Sequence, residues 1–149
     1  MRLAGPEHHT IGWIAALPFE RAAATALLDE RHDRPEDFHP HPSDANSYTW
    51  GRIGEHSIVI ASLPAGNTGT SPAAATALHL LSSFPHVKVG LLVGIGGAIA
   101  RPDLNRDIRL GDVVVSQPDG TFGGVVQYAS TASNHHGNLR VYGRYHLRI

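Results

Sequence analysis

The sequence predicts an α/β fold with a central mixed β-sheet flanked by helices. Three observations predict it. Short β-branched apolar runs alternate with alanine- and leucine-rich stretches of helical character. The strongest run, Val87–Val93, passes directly into Gly94-Ile95-Gly96-Gly97. A second glycine-bearing turn, Pro64–Ser71, likewise separates a strand from a helix.

Residues 1–9 read as a flexible lead. Thr10–Leu17 follows as the first strand, within which Ile11–Ala16 belongs to the sheet, and Pro18 ends it. Glu20–Glu30 has the composition of a helix, with Ala23, Ala24, Leu27 and Leu28 recurring on one face. Arg31–Asn46 is polar, proline-rich and without periodicity, hence a loop. Ser47–Arg52 and His56–Leu63 read as two strands joined by the short Ile53-Gly54-Glu55 connection, a hairpin. Ser71 is a suitable N-cap and Pro72 a suitable first residue for a helix over Pro72–Phe84, with Ala74, Ala77, Leu78 and Leu81 inward. Val89–Val93 suits a strand covered on both faces. Arg101–Arg109 is a charged connection, Leu110–Ser116 a further buried strand with Asp112–Val115 in the sheet, and Val125–Tyr128 one more. The expected core includes Ile14, Ile60, Leu92, Val93 and Val114.

Composition narrows the function classes. At 149 residues and 42% hydrophobic content, the chain can bury a real core. A formal net charge of -1 offers no nucleic-acid footprint and no membrane-surface patch. The longest apolar run is broken by Lys88 and glycines and is too short to span a bilayer. The N-terminus lacks the apolar core of a signal peptide, so a cytoplasmic protein is the default. Without cysteine there are no disulfides and no thiolate ligands. The eleven histidines are scattered, two pairs of them adjacent (His8-His9 and His135-His136), and of spacings that could suit a metal there is only His39-Pro40-His41, in a proline-rich loop. They read as mostly surface residues, with no metal site and no cofactor.

Two turns and one carboxylate carry what chemistry there is. Gly94, Gly96 and Gly97 fall within four residues, a density that serves positive φ or close approach of backbone to a ligand. Ligands of open α/β sheets bind beyond the carboxyl ends of the strands. The same stretch also serves as a structural turn with no ligand. A dinucleotide fingerprint fits poorly, because Ile99 stands where GxGxxG needs a small residue. In Pro64-Ala65-Gly66-Asn67-Thr68-Gly69, backbone N–H groups at a helix start can hold an anion or a sugar hydroxyl. It lacks a P-loop lysine, and a loop that merely needs two glycines has the same appearance. Glu20, in the first turn of its helix, is favoured there by the helix dipole alone.

Four segments, in order, resemble the purine nucleoside/uridine phosphorylase superfamily, which includes the methylthioadenosine/S-adenosylhomocysteine nucleosidases. They are GWIAALPFERAAA, LPAGNTGTSPAAA, VGLLVGIGGAI and DIRLGDVVVSQP. The wording is most similar to the version fused at the N-terminus of fungal NLR-like proteins, ahead of a nucleotide-binding module and a repeat array. The match covers residues 10–128, and the tail 129–149 diverges.

The resemblance implies a nucleoside phosphorylase-like fold and a set of site residues. Glu20 matches the glutamate with which the nucleosidases activate water, where bacterial purine phosphorylases carry a phosphate-binding arginine. Gly66, Asn67, Thr68 and Gly69 match the loop on the sugar and phosphate side. Gly94, Ile95, Gly96 and Gly97 match the turn lining the base and sugar. Ile95 departs from the serine or threonine of many members, which weakens a phosphate site. The family's later Met-Glu pair, which grips the ribose, and its later aspartate, which protonates the base, have no match in these 149 residues. The chain thus reads as the N-terminal half of a truncated domain.

N-glycoside cleavage passes through an oxocarbenium-like sugar and needs a placed nucleophile at one end and an acid at the other. Glu20 suits the first task; Asp112, in LGDVVVS, reads as structural rather than as the acid. Two functions are therefore expected as alternatives. One is a nucleoside phosphorylase-like domain that cleaves the N-glycosidic bond, leaning to nucleosidase, with this chain alone inactive and marginally stable or self-associating. The other is a non-catalytic signalling or interaction module derived from an NLR-like N-terminal domain. A dinucleotide-binding domain is a distant third. The expected partners are a nucleoside or free base, water or phosphate, and a second copy or a downstream NLR-like module, with no nucleic acid and no membrane. Glu20, Asn67, Thr68 and Gly96 should converge on one cleft.

Overall fold

The computed structural model describes residues 5–67, 69–98, 100–104, 107–118, 120–121 and 123–124. The chain divides into two units, Met1–Gly96 and Gly97–Ile149.

The first unit is an α/β layer structure. Its strands are β1 (Ile11–Ala15), β2 (Glu30–His32), β3 (Ser47–Ile53), β4 (His56–Ser62) and β5 (Val89–Leu92). They form one mixed sheet in the order β2-β3-β4-β1-β5. β4, β1 and β5 are mutually parallel, and β3 is antiparallel to both β4 and β2. The helices α1 (Pro18–Ala26) and α2 (Thr70–Ser83) cover opposite faces. Ala24 of α1 packs with Ile58 and Ile60, while Leu80 of α2 packs with Ile14, Val59 and Ala61. Alternate residues of β4 thus serve two cores, which is why its centre, residues 58–61, is apolar without interruption.

Both helices are displaced from their expected bounds and faces. α1 starts on Pro18, whose missing N–H costs nothing at a first helical position, and ends four residues short of Glu30. The chain then turns, with the Asp29 N–H donating to the Arg52 carbonyl (2.9 Å), and Glu30–His32 joins β3 as an edge strand. Ala24 is buried and Leu28 half-buried, but Ala23 and Leu27 are exposed. In α2, Thr76, Leu80 and Ser83 are buried and Ala73 and Ala77 half-buried; Ala74, Leu78 and Leu81 are exposed, contrary to expectation. Gly12 explains the rotation: a Cβ there would lie 2.7 Å from the Leu80 side chain, so Leu80 seats itself where β1 has none.

The expected core is also corrected. Ile14 and Ile60 are buried, but Leu92 is 67% exposed, Val93 39% and Val114 55%. β5 forms as a strand but, among the described residues, pairs only with β1 and lies at the edge of the sheet, with Val89, Leu91 and Leu92 exposed rather than covered on both faces. In the second unit, Leu110–Ser116 is not a strand. Arg109 and Asp112 close a turn instead, the Asp112 N–H donating to the Arg109 carbonyl (3.1 Å), and Val113, Val114 and Val115 are exposed. A 3-10 turn, Pro102–Leu104, precedes it. Val125–Tyr128 and the tail 129–149 lie outside the described residues.

The proline-rich loop holds a core residue that periodicity did not reveal. Phe38 stacks on Phe84 (4.8 Å between centroids) and meets Tyr48 and Trp50 edge-on. Asp44 anchors the same loop. Its carboxylate accepts hydrogen bonds from the Tyr48 hydroxyl (2.6 Å) and the Ser83 hydroxyl. Burial first, then this bond, hold the Tyr48 phenol well above its ordinary pKa.

His9 closes the cluster at 1% exposure, edge-on to Phe84, and neither ring nitrogen has a hydrogen-bond partner among the described residues. Burial lowers its pKa below the ordinary 6.5; His32 and His8 add to this, and the nearby carbonyls of Gly5 and Pro6 oppose it. The unfolded chain therefore binds a proton at His9 that the folded chain resists. The stability this contributes is fully present above 6.5 and is lost as pH falls below it toward the depressed folded value. The melting temperature should fall between neutral pH and pH about 5.5, and His9→Phe should flatten that slope. An equal slope in both proteins would show that His9 is not the group responsible.

Candidate functional site

β1 ends at Ala15, and three residues later α1 begins. Glu20 is the third residue of α1, so its side chain reaches back over the helix start. One carboxylate oxygen, Oε2, accepts the Leu17 N–H at 2.9 Å. The other, Oε1, accepts the Ile95 N–H at 2.9 Å. The residue is only 8% exposed. Its carboxylate thus ties the first turn of α1 to the glycine turn after β5. An ionised carboxylate offers about four acceptor positions, and two of them are used among the described residues.

The same contact accounts for one glycine. A Cβ on residue 94 would stand 2.8 Å from Glu20 Oε1. Gly94 is therefore required by close approach, but of a protein carboxylate. Gly96 and Gly97 have neither positive φ nor any atom near a would-be Cβ. The Ile95 side chain is exposed. Gly97 opens the second unit.

The other turn is built differently. It leaves β4, and Asn67 N–H donates to the Pro64 carbonyl (3.0 Å). Gly66 and Gly69 sit at φ +82° and +106°, with open space around each, so here glycine serves backbone conformation. Gly69 caps α2 in the place expected of Ser71. Thr68 lies outside the described residues. Because β4 and β5 lie parallel on either side of β1, both turns and the start of α1 leave the same end of the sheet. Glu20 meets the turn after β5; Asn67 and Gly66 bond neither to it nor to Gly96.

Asp112 accepts the Arg109 N–H at 2.8 Å within its own turn, where a sheet strand was expected.

Arg21 was not singled out from sequence. Its guanidinium crosses the α1 face of the sheet and donates to Ser62 Oγ (3.0 Å) and Thr49 Oγ1 (2.9 Å). Burial, and then the charge of Arg31, lower its pKa. The available signal was its position three residues before Ala24 on the apolar stripe. Arg21 lines a cleft of about 470 Å³ with Pro18, Thr25, Arg31 and Thr49. A second, of about 410 Å³, lies against Arg31, Arg34, Tyr48 and Trp50. Neither of these two clefts is lined by the glycine turns, and the Glu20 site is described by its hydrogen bonds.

The fold and this geometry define an α/β domain with loops gathered at the carboxyl end of a parallel core. No protein-family model and no solved structure matches the chain. The chain is 46% identical, over 123 residues, to a Hyaloscypha variabilis protein described as "Nucleotide-binding leucine-rich repeat (NLR)-like protein". It is thus a homologue of a fungal NLR-like protein, the aligned part being 83% of this chain and 12% of that relative's length. Among the described residues, no helix is long and apolar enough to cross a membrane.

Removing the carboxylate should release both N–H groups. Glu20→Ala should cost about 1–3 kcal/mol in urea unfolding, the range for a buried group left without its partner. It should also speed hydrogen exchange at the Ile95 amide. An unchanged midpoint with unchanged Ile95 protection would remove Glu20 from this role.

Proposed function

We propose that this chain is a nucleoside phosphorylase-like domain, of the class that cleaves the N-glycosidic bond of nucleosides, within a protein of NLR-like organisation. The observation that supports the reading best is the Glu20–Ile95 hydrogen bond, made across 75 residues of sequence. It joins two of the segments that carry the family resemblance, beyond the carboxyl ends of β1 and β5, where α/β sheets take their ligands. In this reading Glu20 orients and deprotonates a water at the anomeric carbon. Backbone groups of Gly66, Asn67 and Gly69 address the sugar, and those of Gly94, Ile95 and Gly96 address base and sugar; Thr68 and Gly97 belong to the same two loops in sequence. Ile95 supplies no hydroxyl for phosphate, which favours hydrolysis over phosphorolysis. No residue of the chain is assigned as the acid for the leaving base. The partners are a nucleoside or free base, water before phosphate, and a second copy or a downstream NLR-like module, in the cytoplasm.

A second reading, a non-catalytic signalling or interaction module, has its own support. Both oxygens of Glu20 already accept backbone N–H groups, and the relative's description is NLR-like.

One titration separates the two. Adenosine, inosine, uridine or methylthioadenosine added to the isotope-labelled chain should shift the amide signals of Gly66, Asn67, Gly94 and Gly96. Any base release should be independent of phosphate. Phosphate-dependent release of ribose-1-phosphate would overturn the hydrolytic assignment. No shift at either turn with any of the four would overturn nucleoside binding and leave the module reading.

A further inference from the structure

β3 extends beyond its edge partner. Trp50, Gly51 and Arg52 pair with His32, Arg31 and Glu30 of β2, whereas Ser47, Tyr48 and Thr49 pair, among the described residues, with β4 alone. The outer side of Ser47–Thr49 is therefore an unpaired strand edge, the kind of surface that accepts another strand. The two clefts described above flank it and have Arg31 and Thr49 in common in their linings; the edge with a cleft on either side is the groove.

The groove is electrostatically one-sided. Arg21, Arg31 and Arg34 line it, and Asp33 is its one acidic lining residue. Arg31 has no ion-pair partner among the described residues, and Arg21 meets only hydroxyl oxygens. Arg34 lies over the Phe38 ring (5.4 Å) and donates to the Phe38 carbonyl, so its charge also stays uncompensated. The carboxylate of Glu30 is turned toward Arg52 and His32.

We propose that this groove binds an extended acidic peptide segment, which prolongs the line of β2 along Ser47–Thr49 and pairs its carboxylates with Arg31 and Arg34. Main-chain hydrogen bonds to a sheet edge supply affinity, and alternate side chains supply specificity. Guanidinium and carboxylate match in a two-pronged geometry, which selects acidic side chains at those alternate positions. An open groove suits a chain laid along it better than a small anion, which a site normally encloses. This surface is lined by α1, β2, β3 and the start of the loop after β2, and none of its lining residues belongs to the glycine turns; the proposal does not depend on nucleoside binding.

The test is fluorescence anisotropy of a labelled Glu-Val-Glu-Val-Glu-Val peptide on the whole chain. The acidic peptide should bind and its Lys-Val counterpart should not. Binding should weaken as salt rises, because the paired charges are exposed. The double variant Arg31→Ala, Arg34→Ala should weaken it about tenfold or more, as loss of close charge pairs does, while Arg109→Ala leaves it unchanged. A peptide N-methylated at alternate residues should lose binding, since it cannot complete the strand hydrogen bonds. If the double variant proves unfolded, the N-methylated peptide and the salt series decide alone. No binding of the acidic peptide overturns the proposal. So does binding indifferent to N-methylation, or inorganic phosphate competing as well as the peptide, which would mark a small-anion site.

Discussion

The carboxylate of Glu20 holds the carboxyl end of the sheet together. Strand pairing between β1 and β5 ends with the Val93 N–H on the Ile14 carbonyl. Beyond that point the chains diverge, β1 into a helix and β5 into a glycine turn. A helix start leaves N–H groups without partners, and so does a turn that leaves a strand. One side chain, buried between them, accepts from both. Helix direction, glycine-turn geometry and the identity of residue 94 then follow from the same carboxylate. Any ligand at this end of the sheet would meet a group already engaged in structure, which is the physical core of the choice between catalysis and scaffolding.

The two faces of the sheet are stabilised by different means. On the α1 face the contact is aliphatic, Ala24 against Ile58 and Ile60, with Arg21 spanning from helix to sheet through two hydroxyls. On the α2 face an aromatic group gathers His9, Phe38, Tyr48, Trp50 and Phe84. It recruits a loop of fourteen residues between β2 and β3, which Asp44 and Asn46 fasten to α2 through Ser83 and the Thr76 carbonyl. The polar clamp and the aromatic cluster support one another, since each fixes the loop that the other needs in place. The sheet edges differ as well. β2 is short and carries charge, whereas β5 is apolar and exposed.

The parallel core β4-β1-β5 was legible because its strands are apolar runs each followed by a turn signal and, for β1 and β4, by a helix. The hairpin was legible from Gly54 between two alternating runs. Glu20 and the glycine turn were each visible as candidates, but nothing local indicated that they touch. β2 was hidden because three residues carry no periodicity; its existence depends on β3 offering a partner. The faces of α2 were misassigned because alanine is indifferent to burial, so the pattern alone permitted a rotation that Gly12 settles.

By itself, then, the sequence determined the fold class, the order of the main strands and helices, and the two turns at which ligands are expected. These depend on composition and spacing over a few residues, where local propensity and burial act together. The tertiary structure decided which residues are buried, that β5 is an edge, that Arg109–Asp112 forms a turn in place of a strand start, and that Glu20 bonds to Ile95. Each of those is a pairing between segments distant in sequence or a choice among partners, and a strand or a carboxylate takes its role from the partner that reaches it.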